Sequence, residues 1–180
     1  VIAGGVEAMT RVPIGSNIVD GMKQGHGQPY DGTGMSQRYP GVRFSQFAGA
    51  EMLAKKHGLT REELDLFAHE SHQKATRATR EGRFKREIVG VVVTLEDGTT
   101  ITHDIDEGIR FEPSLEKTQA LQPLTPGGLL TAASSSQICD GAAAVLIASE
   151  RGLKENKLVP RARIHTLTVV GDDPVIMLEG

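Results

Sequence analysis

Residues 130–149 read LTAASSSQICDGAAAVLIAS, and the assignment of the rest of the chain turns on them. Leu130-Thr131 is a short extended run. Ala132, Ala133 and the serines Ser134–Ser136 follow, then Gln137, Ile138, Cys139 and the turn dipeptide Asp140-Gly141. Ala142–Ala148 is apolar and unbroken, with the length of a strand buried on both faces. Small residues over such a length let backbone approach a ligand or another backbone closely. The pattern therefore predicts a small-residue loop at the edge of a buried sheet, a place where binding function often resides. The same pattern also fits a plain tight turn into a core strand.

Outward from this stretch, the apolar start Val1-Ile2-Ala3 reads as a strand, and Gly4–Met9 as the turn out of it. Thr10–Tyr39 is rich in Gly, Pro, Asn and Asp and reads as a surface excursion. The glycines around His26 and Thr33 lack the preceding strand that a phosphate-binding loop requires. Ser45–Lys56 partly fits a helical face, with Gly58 as its stop. Thr60 and Glu63 form a capping-box pattern, and Leu64, Phe67, Ala68, Ser71 and Ala75 follow at helical spacing, predicting a helix to about Glu81. His69 and His72 lie on that helix, but H-E-x-H is not the four-residue spacing of a zinc helix, so a solvated face is expected.

Valine-rich Ile88–Leu95, the Asp97-Gly98 turn and Thr99–His103 predict a hairpin. The acidic residues Asp104, Asp106 and Glu107 lack calcium-loop spacing and read as a solvated loop. A short helix is expected within Pro113–Leu121, a turn at Leu124–Leu129, a helix over Glu150–Asn156 and a strand over Arg163–Val170. Asp173-Pro174 reads as a helix start.

The chain has 180 residues, a net charge of −3 with mixed signs, and no apolar run long enough to span a bilayer. A basic face for nucleic acid is excluded, and membrane insertion is not expected. Cys139 is the single cysteine, which excludes an internal disulfide framework and suits a reducing, cytoplasmic setting. Cys139 itself reads as a small buried thiol rather than a nucleophile, because no partner histidine neighbours it in sequence.

Four segments resemble the thiolases, enzymes that make or break 3-ketoacyl-CoA, and they occur in the family's order. Gly4–Met9 (GGVEAM) resembles G-G-x-E-x-M, and Gly49–Phe84 resembles the helical pair that ends in Gly-Arg-Phe. Thr131–Ala144 resembles T-A-G-N-x-S-x-x-x-D-G-A-A-A, and Asp173-Pro174 with Met177 resembles D-P-x-x-M. The resemblance implies an α/β, thiolase-like layered fold, present in part. Residues 1–10 would close the N-terminal core, 11–131 form an inserted α+β loop domain, 132–160 complete that core and 161–180 begin the C-terminal core. The chain would then be the middle portion of a longer enzyme.

By the same resemblance, the parent is an acyl-CoA acyltransferase of fatty acid metabolism. It works through an acyl-cysteine intermediate, takes coenzyme A as substrate rather than cofactor, needs no metal and assembles as a homo-oligomer, dimer or tetramer. The family's nucleophilic cysteine, its C-terminal histidine and second cysteine, and its N-E-A-F asparagine have no match here, so no catalytic residue is assigned and the chain alone is expected to be inactive.

What carries over is CoA binding. Ser136 matches the serine along the pantetheine arm, Ala132, Ala133 and Ile138 its neighbours in the tunnel, and Met177 the methionine near the acyl end. Two positions depart from the family. Gln122 stands where a basic residue often lies near the nucleotide. Ser45-Gln46 stands where short-chain biosynthetic members carry His-Met, which leans towards a degradative or longer-chain role and makes Gln46 a candidate contact. The competing readings are a thiolase-like protein that binds CoA esters without cleaving them, and a non-enzymatic oligomerisation or scaffold module. Flanking C-x-S/G, G-H-P and C-x-G motifs would decide for the enzyme.

Overall fold

The computed structural model describes residues Val1–Gly180, which divide into two compact units. The first comprises Val1–Gln46 and Ile138–Gly180, the second Phe47–Gln137. Ten elements form: strands β1 (Ile2–Ala8), β2 (Val91–Thr94), β3 (Thr100–His103) and β4 (Asp140–Leu146), and helices α1 (Ser16–Lys23), α2 (Thr33–Arg38), α3 (Gln46–Lys56), α4 (Arg61–Arg80), α5 (Leu115–Gln119) and α6 (Glu150–Glu155). None of the helices is long and apolar enough to cross a membrane.

In the first unit β1 and β4 pair antiparallel, from Ile2 opposite Leu146 to Ala8 opposite Asp140. GGVEA is thus strand rather than turn, and Asp140-Gly141 opens a strand rather than turning into one. Glycine at position 4 suits the ladder, because a Cβ there would lie 3.0 Å from the carbonyl oxygen of Ala143. At the ladder's end Asp140 accepts two hydrogen bonds from Thr10, one from its N–H at 2.9 Å and one from its hydroxyl at 2.6 Å. All seven residues of β4 are exposed. The apolar run predicted burial on both faces, but within this unit β4 pairs with β1 alone and no helix packs on the pair.

The excursion after Met9 is more ordered than its composition suggested, since it carries α1 and α2. Phe44 packs its ring 5.3 Å from Tyr30 and 5.1 Å from Tyr39. No strand forms over Arg163–Val170: the alternation is there, but no neighbouring strand accepts its backbone groups. At Asp173 the expected helix is a single turn. The Asp173 carboxylate accepts the N–H groups of Val175 and Ile176, Met177 N–H bonds to the Asp173 carbonyl, and Met177 then takes a left-handed φ of 53°.

The second unit follows its sequence signals closely. Gly58, at φ 64°, ends the first helix, and the N–H of Leu59 bonds to the Ala54 carbonyl. Thr60 and Glu63 form a complete capping box on α4. The hairpin β2–β3 pairs Val91 with His103 through Thr94 with Thr100. Gly98 supplies the positive φ of its turn, and Asp97 accepts the Thr99 N–H at 2.8 Å, which holds its carboxyl below the usual range. Asp106 accepts the Gly108 N–H, so the acidic loop closes on itself.

Candidate functional site

A cleft of about 890 Å³ opens in the second unit, within the size range of small-ligand sites. Three segments wall it. Helix α4 contributes Leu64, Phe67, Ala68, Ser71 and His72; residues 110–121 contribute Arg110, Lys117, Thr118 and Leu121; the third wall is Leu130 and Ala132–Gln137.

Side chains of α3 and α4 grip the backbone of the other two walls. His72 accepts the N–H of Arg110 through Nδ1 at 3.2 Å, which places its ring hydrogen on Nε2. One turn on, Thr76 donates its hydroxyl to the Arg110 carbonyl at 3.3 Å, so both backbone polar groups of Arg110 are taken by one helix. His69 and His72 are half-buried, not on a solvated face. The N–H groups of Leu129 and Leu130 go to the carboxylate of Glu51 at 2.9–3.0 Å. Gly128 makes this approach possible, since a Cβ there would run into that carboxylate.

Within the third wall Thr131 is wholly buried and anchors the small residues. The Ser134 hydroxyl accepts the Thr131 N–H and lies within hydrogen-bond reach of the Thr131 carbonyl; the Ser135 hydroxyl donates to that carbonyl at 2.9 Å. Two of the three serines are therefore engaged with their own backbone. The third, Ser136, lines the cleft with its hydroxyl engaged by nothing in the chain. Gln137 donates to the carbonyl of Gly108 at 2.7 Å and ties the third wall to the acidic loop that precedes the second.

Ala132, Ala133 and Ser136 thus share one cleft. Gln122 belongs to the same unit but is not part of the lining. Ile138, Met177 and Gln46 belong to the first unit, where Ile138 and Met177 are exposed. Cys139 is exposed, against the expected buried thiol, because the strand it precedes is open to solvent. No group of three or more His, Cys, Asp or Glu side chains gathers to hold a metal ion.

Sequence reasoning missed the cations and one aromatic. Arg110 and Lys117 line the cleft and neither sits in an ion pair; both are exposed, which favours binding an anionic group without a large desolvation cost. Phe67 occupies an apolar helical position that reads as core, yet it is 73% exposed and lines the cleft. An aromatic at helical spacing carries no mark that separates these two settings.

The small-residue loop, the Ser136 hydroxyl, the Arg110 and Lys117 cations and the Glu112 carboxylate thus line one cleft of an α/β chain. The thiolase N-terminal domain family matches residues 1–151, and the chain belongs to the thiolase family. It is 45% identical to the steroid 3-ketoacyl-CoA thiolase FadA6 of Mycobacterium tuberculosis over 181 residues, covering 100% of this chain and 43% of that protein. It is 40% identical to a 3-ketoacyl-CoA thiolase of Cronobacter sakazakii, covering 98% of this chain and 43% of that protein. Among solved structures, human mitochondrial 3-ketoacyl-CoA thiolase aligns with a TM-score of 0.68 at 30% identity, over 88% of this chain and 41% of that one. An acetyl-CoA acetyltransferase from Syntrophomonas wolfei aligns with a TM-score of 0.64 at 34% identity, over 88% and 40%. The chain therefore spans about 43% of the length of the curated relatives it matches.

Proposed function

We propose that this chain supplies the CoA-ester cleft of a 3-ketoacyl-CoA thiolase, an acyltransferase that passes an acyl group through a cysteine thioester. The observation that carries the reading is the free hydroxyl of Ser136 on the cleft wall, in a small-residue loop whose other two serines are engaged with their own backbone. A hydroxyl left unpaired in a lined groove suits an amide of the pantetheine arm. Ala132 and Ala133 keep that groove narrow-walled without polar competition, and Leu64, Phe67 and Leu121 offer an apolar surface to the arm's methylenes. Arg110 and Lys117 replace, as partners for phosphate, the basic residue that Gln122 does not provide.

The reaction needs a thiolate, a base and oxyanion donors acting as a unit. Cys139 is exposed, hydrogen-bonds to nothing in the chain and takes no such role, so the chain by itself binds without turnover. Names of the relatives, 3-ketoacyl-CoA thiolases, support the substrate class; a place in fatty acid metabolism is part of the same reading. Homo-oligomeric assembly is part of the same reading.

The test is calorimetric titration of acetyl-CoA and of a longer 3-ketoacyl-CoA into the chain and into Ser136→Trp. Binding by the first and its loss in the second, with an unchanged circular dichroism spectrum, is the expected result. Equal affinities would overturn the site assignment.

A further inference from the structure

We infer that Arg61 and Asp65 form a positioning pair that holds one wall of the cleft in its binding shape; the inference rests on the cleft being a CoA-ester site. Asp65 is 1% exposed, the most deeply buried acid of the chain. Its Oδ2 accepts from Arg61 Nε at 2.7 Å, and its Oδ1 has no hydrogen-bond partner, so Arg61 is the only cation that balances it. The pairing fixes the Arg61 guanidinium one helical turn away on α4. From there Nη2 donates to the carbonyl of Leu121 at 2.8 Å and reaches those of Gln119 at 3.3 Å and Thr118 at 3.5 Å.

The Thr118 and Gln119 carbonyls end helix α5 and that of Leu121 lies just past its cap; at five residues the helix is too short to persist by propensity alone. The Leu121 N–H caps the Thr118 carbonyl at 3.2 Å, and the remaining carbonyls at this end carry the negative end of the helix dipole. A guanidinium, with donors in a fixed fork, can meet a carboxylate and several carbonyls at once; an ammonium cannot hold the same set. Lys117, Thr118 and Leu121 lie on the clamped segment and line the cleft. Neither Arg61 nor Asp65 lines it. Their effect on a ligand is therefore indirect, through the backbone they hold.

A pair that is only structural and a pair that positions the wall respond differently to removal of both charges. Replacing a buried ion pair by apolar residues is often neutral or stabilising, whereas removing one partner strands a buried charge. The variant Arg61→Met with Asp65→Leu should therefore keep the thermal midpoint of the wild type, yet bind acetyl-CoA roughly tenfold more weakly, because the carbonyls of Thr118, Gln119 and Leu121 have lost their clamp. Arg61→Ala should weaken acetyl-CoA to a similar degree and recover on addition of methylguanidine, and Arg61→Lys should not substitute.

Amide hydrogen exchange supplies a readout independent of the ligand: residues 117–121 should lose protection in the double variant while the middle of α4 keeps it. Wild-type affinity in a folded double variant would overturn the positioning role. A wild-type chain that does not bind acetyl-CoA would overturn the CoA reading, and the exchange rates at 117–121 would then confirm or refute the clamp on their own.

Discussion

The carboxylate of Glu51 accepts the N–H of Leu130 at 2.9 Å across 79 residues of sequence, and the same group takes the N–H of Leu129. A helix side chain thus fixes where the small-residue loop begins. Bonds to a charged acceptor contribute more than neutral ones, and Leu130 is buried, so its N–H has no ready substitute in water. Glu51→Ala is expected to cost about 2 kcal/mol. Glu51→Gln, which keeps an acceptor oxygen, should cost less than half of that. Gly128→Ala should destabilise as well, by displacing the carboxylate. Urea midpoints of the three variants, measured against the wild type, check the ranking; an unaffected Glu51→Ala would refute it.

Asp140 gives a pH dependence. The Thr10 hydroxyl first, then the Thr10 N–H, the Met9 N–H and the Arg11 charge lower its pKa. A carboxyl whose folded pKa lies below the unfolded value of about 3.9 stabilises fully above that value and loses its contribution as pH falls through the folded value. The β1–β4 ladder should therefore loosen on acidification below the ordinary carboxylate range. NMR shifts of the Thr10 amide, followed down in pH, should report the transition, and Thr10→Val should move it up towards the ordinary value. A Thr10 amide that does not respond to acid would count against this account.

Both backbone groups of Arg110 are held by α4, through His72 and Thr76. Thr76 is nearly buried, so Thr76→Val should cost about 1 kcal/mol. His72→Phe should cost less, because the N–H of Arg110 is exposed and can turn to water. The two changes act on one residue and should not add. A double-mutant cycle from thermal or urea unfolding measures the coupling, and strict additivity would show that the two side chains act separately.

If Arg110 and Lys117 meet phosphate, their loss should be felt by CoA esters and not by esters of pantetheine, which lack the nucleotide. Arg110→Gln and Lys117→Gln should each weaken acetyl-CoA by about two- to fivefold, as expected for exposed charge pairs. The effect should shrink as salt is raised. Parallel titrations with acetyl-pantetheine provide the comparison; equal losses for both ligands would remove the cations from the phosphate role.

What was legible in the chain was local. The Thr60–Glu63 box, the Gly58 stop and the Asp97-Gly98 turn are each decided by a few neighbouring residues, and each formed where its residues indicated. What failed depended on a partner that sequence pattern does not name. Ala142–Ala148 has the composition of a doubly covered strand, yet β4 is exposed along its length; Arg163–Val170 alternates like a strand and finds no ladder. The same limit applies to the cleft. The small residues around Ser136 form a recognisable pattern by themselves, whereas Arg110, Lys117 and Phe67 meet in one groove only through the packing of α4 and the segment that carries α5. The clamp of Arg61 on residues 118–121 left no trace beyond an ordinary i, i+4 charge pair.

The grip of α3 and α4 on main-chain atoms separates two kinds of heritable change. Glu51, His72, Thr76 and Arg61 seize N–H and C=O groups that every amino acid other than proline presents, so the wall keeps its contour whatever side chains decorate it. Ala132, Ala133, Lys117 and Leu121 can then be exchanged for other residues as a lock's pins are recut, without rebuilding the barrel that holds them. A fold arranged in this way can change the lining of its cleft in single substitutions, each costing little stability, while the vulnerable positions include Glu51, Thr76 and Arg61, which stand outside the cleft altogether.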